Sequence, residues 1–280
     1  MKDFSLQNFI RLKELFQNKR WYKNHDEQEV FRRFGFLLGN LNEIEQELIL
    51  DLSSRYLWVS YGNYLGILKD LFVEFSSEDI SNVKHIYFFP IIKPDDEPQT
   101  KSGNVVSYLY KSIVYGLPAN LRSIPFTIFE QFEKIAPESF TLKEGELLIL
   151  IDDFIGSGTT ISNTFKEIDK NPSIEYQNIR IFTITLMQEA MNILAEKGIN
   201  FYCKYIESKG ITDYYGDMVT QKKAIMKKIE RMTKAGSNYK MGFKKSEALV
   251  TMARTPNNTF SIFWSDHIKE GKEFLAPFKR

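Results

Sequence analysis

Cysteine is nearly missing from this chain: among 280 residues there is one, Cys203. An intramolecular disulfide is therefore excluded, and so is a zinc cluster built on several cysteines of one chain. Histidine is almost as scarce. His25, His85 and His267 stand far apart and lack metal-ligand spacing. Long hydrophobic runs are missing as well. No uncharged apolar stretch approaches the roughly 20 residues of a membrane span, and the opening segment MKDFSLQNFIRLKELFQNKR lacks the apolar core of a signal peptide. These absences predict a protein of a reducing compartment, the cytoplasm, with no membrane partner. Charge of one sign is also lacking. The formal net charge is +1, so the field of the whole chain selects no partner and any nucleic-acid surface must come from local clustering. There is no internal repeat and no low-complexity tract.

What is present is apolar material. At 43% hydrophobic and 14% aromatic residues, the chain can bury a core for one large domain, or for one domain with a smaller appendage. Residues 1–81 read as a helical N-terminal region. Phe4, Phe9, Ile10, Leu12, Leu15 and Phe16 recur at helical spacing, as do Val30, Phe34, Leu37, Leu38 and Leu41, and later Leu65, Leu68, Leu71 and Phe72. Residues 82–280 read differently. Apolar runs at 85–92, 125–129, 147–151, 179–186 and 201–206 predict strands, and helical patterns at 105–114, from about 160, and at 188–197 fall between them. This alternation predicts an α/β fold with a mainly parallel sheet. At the C-terminus, 248–252 and 259–264 flank Pro256, Asn257 and Asn258, which predicts a strand–turn–strand extension.

The segment that carries chemistry is LLILIDDFIGSGTTISNTF, residues 147–165. Five aliphatics form a buried strand. Asp152 and Asp153 stand at its carboxyl end, where open parallel sheets bind ligands. A loop of Gly156, Ser157, Gly158, Thr159 and Thr160 then leads into a helix. Backbone N–H groups of such a loop and of a helix start have no partners of their own and form an anion cradle. Ser157, Thr159 and Thr160 add hydroxyl donors, and glycine permits close approach and positive φ. Two carboxylates beside it can accept hydrogen bonds from a diol. Phosphate donors next to diol acceptors describe a sugar-phosphate site. Three rivals fit less well. A nucleotide P-loop requires a lysine after the last glycine, a dinucleotide fingerprint requires a third glycine where Ile161 stands, and a phosphate-accepting aspartate pair has no need of the two-glycine loop. The plain alternative is a strand-to-helix turn with capping hydroxyls.

Residues 148–160 resemble the PRPP-binding motif of type I phosphoribosyltransferases: a hydrophobic strand, two acids, and a small-residue loop ending Gly-Thr-Thr. The resemblance implies that Asp152 and Asp153 are catalytic residues orienting the ribose hydroxyls. It implies that Ile155, Gly156, Ser157, Gly158, Thr159 and Thr160 hold the 5′-phosphate. It further implies Mg²⁺, held by Asp152 and Asp153 indirectly, through substrate or water. The wider layout over 82–210 resembles that fold too, which places the pyrophosphate loop at 93–103. There Lys101 would help pyrophosphate leave, with Ser102 and Gly103 as substrate-binding residues; the alternative is a solvated loop with a capping serine. One departure is plain. The interval 130–145, where the family carries a basic hood, is short and acidic with only Lys134 and Lys143.

Residues 101–103, the acid-glycine loop and Thr255-Pro256-Asn257-Asn258-Thr259 with Phe263-Trp264 resemble a narrower group over 82–280. These are the phosphoribosyltransferase-like effectors of bacterial conflict systems, including retrons. That likeness implies a toxin effector of antiviral defence, acting on nucleotide or RNA metabolism, or alternatively a non-catalytic module that senses a ribose phosphate or nucleotide. Residues 222–245, rich in lysine, read either as a solvated amphipathic face or as a surface for a nucleoprotein partner. The resemblance makes that partner a reverse transcriptase with its non-coding nucleic acid. The sequence leaves the oligomeric state open.

Overall fold

The computed structural model describes residues 5–77, 80–97, 99–269, 272–278 and 280. Phe4, at the head of the expected helical pattern, and Pro98, inside the expected pyrophosphate loop, lie outside the described residues. The chain forms two compact units. One is made of Met1–Tyr61 together with Ser208–Arg280, and the other is Gly62–Glu207. The units therefore divide the chain elsewhere than at residue 81.

The first unit opens with α1 (Leu6–Asn18), α2 (Glu27–Gly39), α3 (Glu43–Ser54) and the short strand β1 (Leu57–Trp58). Helix starts are set locally. The Ser5 hydroxyl accepts from the Asn8 N–H at 3.2 Å. Asn42 and Glu45 form a reciprocal capping box at 3.0 Å in both directions. The apolar stripes then bury Leu12, Phe16, Phe34, Leu37 and Leu38. Trp21 stacks on Phe34 with centroids 5.9 Å apart.

The second unit begins with α4 (Tyr64–Phe75) and continues through β2 (His85–Pro90), α5 (Ser102–Ile113), the single turn α6 (Ala119–Arg122), β3 (Phe126–Ile128), β4 (Glu146–Ile155), α7 (Thr159–Ile168), β5 (Ile179–Met187), α8 (Gln188–Glu196) and β6 (Asn200–Glu207). Its five strands form one sheet, order β3-β2-β4-β5-β6, with every pair parallel. The α/β fold with a mainly parallel sheet is as expected. β4 is central, and Leu148, Ile149, Leu150 and Ile151 are fully buried, as a parallel strand covered on both faces requires.

Aromatic packing explains why α4 joins the sheet and not the N-terminal helices. Phe72 stacks on Phe182 of β5 at 4.4 Å, and Phe75 meets the same ring edge-on at 5.6 Å. Tyr110 of α5 packs on Phe88 of β2 at 4.4 Å. Ile161 and Phe165 of α7 and Leu194 of α8 form a separate cluster with Leu148, Leu150 and Ile181. After β2 the chain crosses to β3 on one side, and after β4 it crosses to β5 on the other. The carboxyl ends of β2 and β4 thus flank the point where strand order reverses, the crevice in which such sheets bind ligands.

The first unit is completed by α9 (Val219–Ile229), β7 (Val250–Thr251), β8 (His267–Lys269) and β9 (Lys272–Phe274). Here the expected strand–turn–strand gives way. β7 pairs with β1 in parallel, the bridge Ala248–Thr259 is single, and Ser261–Phe263 is a 3₁₀ turn. The reason is a buried acid. Glu230 accepts from the N–H of Met241 at 2.7 Å and from the N–H and hydroxyl of Ser261 at 2.8 Å each. The segment wraps around that carboxylate, and Phe260, Ile262 and Phe263 are all buried. Asn258 donates to the Ser246 hydroxyl at 3.2 Å and is part of this turn.

Candidate functional site

Five parallel strands bring two loops together. The exit of β2 is tied to β4 by the Ile91 N–H, which donates to the Ile151 carbonyl at 3.0 Å. It is tied to α7 by the Thr164 hydroxyl, which donates to the Ile92 carbonyl at 2.8 Å. The loop after β2 therefore starts beside the loop after β4. α5 closes in from the other end. At Gly103 a Cβ would lie 2.9 Å from the Ile151 carbonyl oxygen and 2.9 Å from Cβ of Pro90. Only glycine lets the first turn of α5 approach the sheet this closely, so its place in the sequence has a packing reason as well as any ligand-binding one.

Asp152 and Asp153 were expected just past the end of a strand. They are on it: β4 continues through both acids to Ile155, because β5 keeps pairing, Asp152 with Thr183 and Phe154 with Thr185. Both carboxylates are buried, at 8% and 7% exposure. The Ser102 hydroxyl donates to Oδ1 of Asp152 at 2.6 Å, and the Asp153 N–H donates to the same oxygen at 2.8 Å. The Tyr64 hydroxyl, from the start of α4, donates to Oδ2 of Asp153 at 2.7 Å. Burial pushes the proton affinity of Asp152 well above the usual carboxylate range, and the neighbouring charge of Asp153 pushes it further. Burial raises Asp153 also, against the pull of the Tyr64 and Ser102 hydroxyls.

Beyond the acids, Gly156 and Gly158 are buried while Ser157, Thr159 and Thr160 are half-exposed. Gly158 has φ +73 and stands as the N-cap of α7, so the first amides of that helix open toward the loop. The hydroxyls of Ser157 and Thr159 lie 3.0 Å apart. The side chain of Ile155 is buried in the apolar cluster with Ile161 and Phe165, which leaves only its backbone to a ligand. Lys101 lies at the start of α5. Its Nζ is 3.1 Å from Oδ1 of Asp96 and 3.2 Å from Oε1 of Gln99.

The residues expected from 101–103 and 152–160 thus come to one edge of one unit. Tyr64 was not foreseen. It falls in the stretch read as a helical appendage, 89 positions from its partner, and nothing local in the sequence marks it. Among the described residues, no group of three or more His, Cys, Asp or Glu is placed to hold a metal ion, and no helix is long and apolar enough to cross a membrane.

Comparison with known proteins gives three findings. A family profile described as PRTase-CE matches residues 18–280. Solved structures that resemble the chain include the APRTase of Giardia lamblia complexed with 9-deazaadenine. That match is 10% identical with a TM-score of 0.32, covering 50% of this chain and 76% of that one. They also include the orotate phosphoribosyltransferase of Aeropyrum pernix, 17% identical with a TM-score of 0.30, over 57% and 75%. The hypoxanthine-guanine phosphoribosyltransferase of Schistosoma mansoni in complex with IMP is 12% identical with a TM-score of 0.32, over 55% and 68%. No curated protein matches the chain.

Proposed function

The chain belongs to the PRTase-CE family, phosphoribosyltransferase-like proteins, and from that premise we propose that its acid pair and the loop 156–160 bind PRPP or a related ribose phosphate. One observation carries the reading. Two adjacent buried carboxylates stand near the carboxyl end of the central strand, at the reversal point of the sheet, and the loop that follows them reaches a positive-φ glycine that caps a helix. Asp152 and Asp153 would accept hydrogen bonds from vicinal ribose hydroxyls. The loop amides, with Ser157, Thr159 and Thr160, would hold the 5′-phosphate.

Two neighbouring carboxylates suit Mg²⁺, which binds oxygen and is commonly held by one or two carboxylates plus substrate phosphates, without a full protein cage. Asp152 and Asp153 would hold it through substrate or water, and it would supply charge neutralisation for pyrophosphate. In a transfer reaction the bond from ribose C1 to the pyrophosphate oxygen breaks, its electron pair leaving with pyrophosphate. A bond forms from C1 to the nucleophilic atom of an acceptor or of water, whose proton passes to the departing pyrophosphate or to solvent. The chain's part is to fix the ribose and to stabilise the departing anion, for which Lys101 is the candidate cation. The sensor reading shares the binding site and lacks this step. It is favoured by the acidic interval 130–145, with two lysines where the family carries a basic hood.

The experiment is a titration of PRPP with Mg²⁺ by calorimetry, followed by a pyrophosphate-release assay with nucleotides and RNA as acceptors. Binding that is lost in Asp153→Ala supports the site. Release that is also lost in that variant supports the enzyme, and binding without release under any acceptor supports the sensor. Failure of the wild-type protein to bind PRPP refutes both.

The setting is a further part of the proposal. The resemblance to conflict-system effectors supports a cytoplasmic role in antiviral defence beside a nucleoprotein partner. Residues 222–245 would meet that partner through Lys227, Arg231, Lys234 and Lys244, which are exposed. Other lysines of the stretch serve the unit itself: Lys223 pairs with Glu247 at 2.7 Å and Lys228 with Glu45 at 2.8 Å. Affinity for RNA that falls steeply with salt, and falls further in Lys227→Ala/Arg231→Ala, is expected of such a surface. RNA binding that is indifferent to both would refute it.

A further inference from the structure

Carboxylate groups at the ends of short side chains turn easily, because the terminal torsion of Asp is broad and nearly two-fold. On a solvated surface water satisfies whichever oxygen is turned outward. Asp152 and Asp153 are not solvated, and two separate helices reach them. From α4 comes Tyr64, 1% exposed, which donates to Oδ2 of Asp153 at 2.7 Å. From the start of α5 comes Ser102, which donates to Oδ1 of Asp152 at 2.6 Å, an oxygen that also takes the Asp153 N–H. Tyr64 thus reaches Asp153, while Ser102 bonds Oδ1 of Asp152 and bears on Asp153 as well. Gly103 holds Ser102 in this place, since its Cα sits where a side chain would strike the Ile151 carbonyl. The α4 end is held by Phe72 and Phe75, packed on Phe182.

We propose that Tyr64 and Ser102 are positioning residues for the acid pair, the Tyr64 hydroxyl fixing Asp153 and the Ser102 hydroxyl fixing Asp152, so that the two carboxylates are held in place for the vicinal hydroxyls of a bound ribose phosphate. The inference rests on the ribose-phosphate reading. It adds to that reading a residue from the N-terminal stretch and gives Ser102 a role through Asp152 in place of direct phosphate contact. The role divides the ligand in two. The hydroxyl clamp governs the sugar end, and the loop 156–160 governs the phosphate end. Removal of the Tyr64 hydroxyl takes the donor from Oδ2 of Asp153, and removal of the Ser102 hydroxyl leaves Oδ1 of Asp152 to the Asp153 N–H alone.

The test uses the full chain and two probes, ribose 5-phosphate and inorganic phosphate, titrated into wild type, Tyr64→Phe, Ser102→Ala and Ser102→Thr. Tyr64→Phe and Ser102→Ala are expected to weaken ribose 5-phosphate by roughly 10- to 100-fold, the range for a lost hydrogen bond to a charged group, with inorganic phosphate unchanged. Ser102→Thr keeps a hydroxyl and restores ribose 5-phosphate affinity. Equal loss of both probes would mean that the two residues serve only the fold, and undiminished ribose 5-phosphate binding would mean that they serve nothing at the acids; either result overturns the proposal. Should Tyr64→Phe fail to fold, Ser102→Ala at its exposed position decides alone by the same comparison. Wild-type protein that binds inorganic phosphate but not ribose 5-phosphate sinks the ribose-phosphate reading itself, and the clamp with it.

Discussion

The backbone N–H of Asp153 donates to Oδ1 of Asp152 at 2.8 Å, so the two acids are joined by a hydrogen bond as well as set against each other by charge. Burial, helped by Asp153, raises the proton affinity of Asp152 in the fold above that in the unfolded chain. For a carboxylate shifted this way the folded state keeps a proton that the unfolded state has released. Its stability contribution is full below the unfolded value and is lost as pH rises through the folded one. Asp152→Asn keeps an oxygen for Ser102 and the Asp153 N–H but removes the charge. It is expected to raise the melting temperature at neutral pH, at about 2–4 °C per kcal/mol for a chain approaching this size. It should also flatten the decline of stability from acid to neutral pH and abolish ribose-phosphate binding. A variant less stable than wild type at neutral pH would contradict the account.

Gly158 carries two separable constraints. Its φ of +73 disfavours any side chain, and a Cβ there would lie 2.3 Å from Cδ1 of Ile193. Gly158→Ala should therefore cost about 1–2 kcal/mol from the left-handed backbone alone, plus whatever Ile193 must yield. Ile193→Val removes the Cδ1 atom. In chemical denaturation the double variant should recover the second part and not the first. Full recovery would show that the backbone conformation carries no strain.

Lys101 is held beside Asp96, and both side chains are partly exposed, at 36% and 26%. The pair should contribute no more than about 1 kcal/mol to stability, so Lys101→Ala is a clean probe of function. If Lys101 meets pyrophosphate, the variant loses roughly 10-fold or more in PRPP affinity and nothing in affinity for ribose 5-phosphate, which has no pyrophosphate. Asp96→Asn, which removes the competing carboxylate, should tighten PRPP. Equal loss of both ligands in Lys101→Ala would assign the residue to the loop's own structure.

Glu247 is the anchor of the first unit. Its carboxylate is buried and accepts from the N–H of Ile211 at 3.0 Å, the N–H and hydroxyl of Thr212 at 2.7 Å each, and Nζ of Lys223 at 2.7 Å. Glu247→Ala leaves four donors without their acceptor. A loss of about 2–3 kcal/mol is expected, less than for a fully buried pair because Lys223 reaches solvent. Thermal unfolding measures it, and a change under 1 kcal/mol, about the size of one ordinary hydrogen bond, would remove Glu247 from that role.

The sheet was legible because its strands announce themselves. The run 147–151 is aliphatic without interruption, and a strand buried on both faces needs no alternation. The acid-glycine loop was legible because its chemistry is contiguous. Tyr64 was not, since a tyrosine opening a helix looks the same whether it faces solvent or a carboxylate 89 residues away. The helical spacing of Leu68, Leu71 and Phe72 predicted α4 and could not say that its aromatic face belongs against Phe182. The C-terminal segment misled for a different reason. Its conformation answers to the buried carboxylate of Glu230, and apolar patterning carries no record of a polar centre.

The division of the chain has a consequence for biosynthesis. The sheet-bearing unit is one uninterrupted stretch, Gly62–Glu207, whereas the other unit needs both Met1–Tyr61 and Ser208–Arg280. On the ribosome the sheet and its acid pair can be complete while the helices made first still await their last partners. Leu57 and Trp58 must wait for Val250 and Thr251 before they have a strand to pair with. Once residue 207 has cleared the ribosomal tunnel, every residue of the candidate site is available to fold, while the first unit still lacks the end of its second stretch.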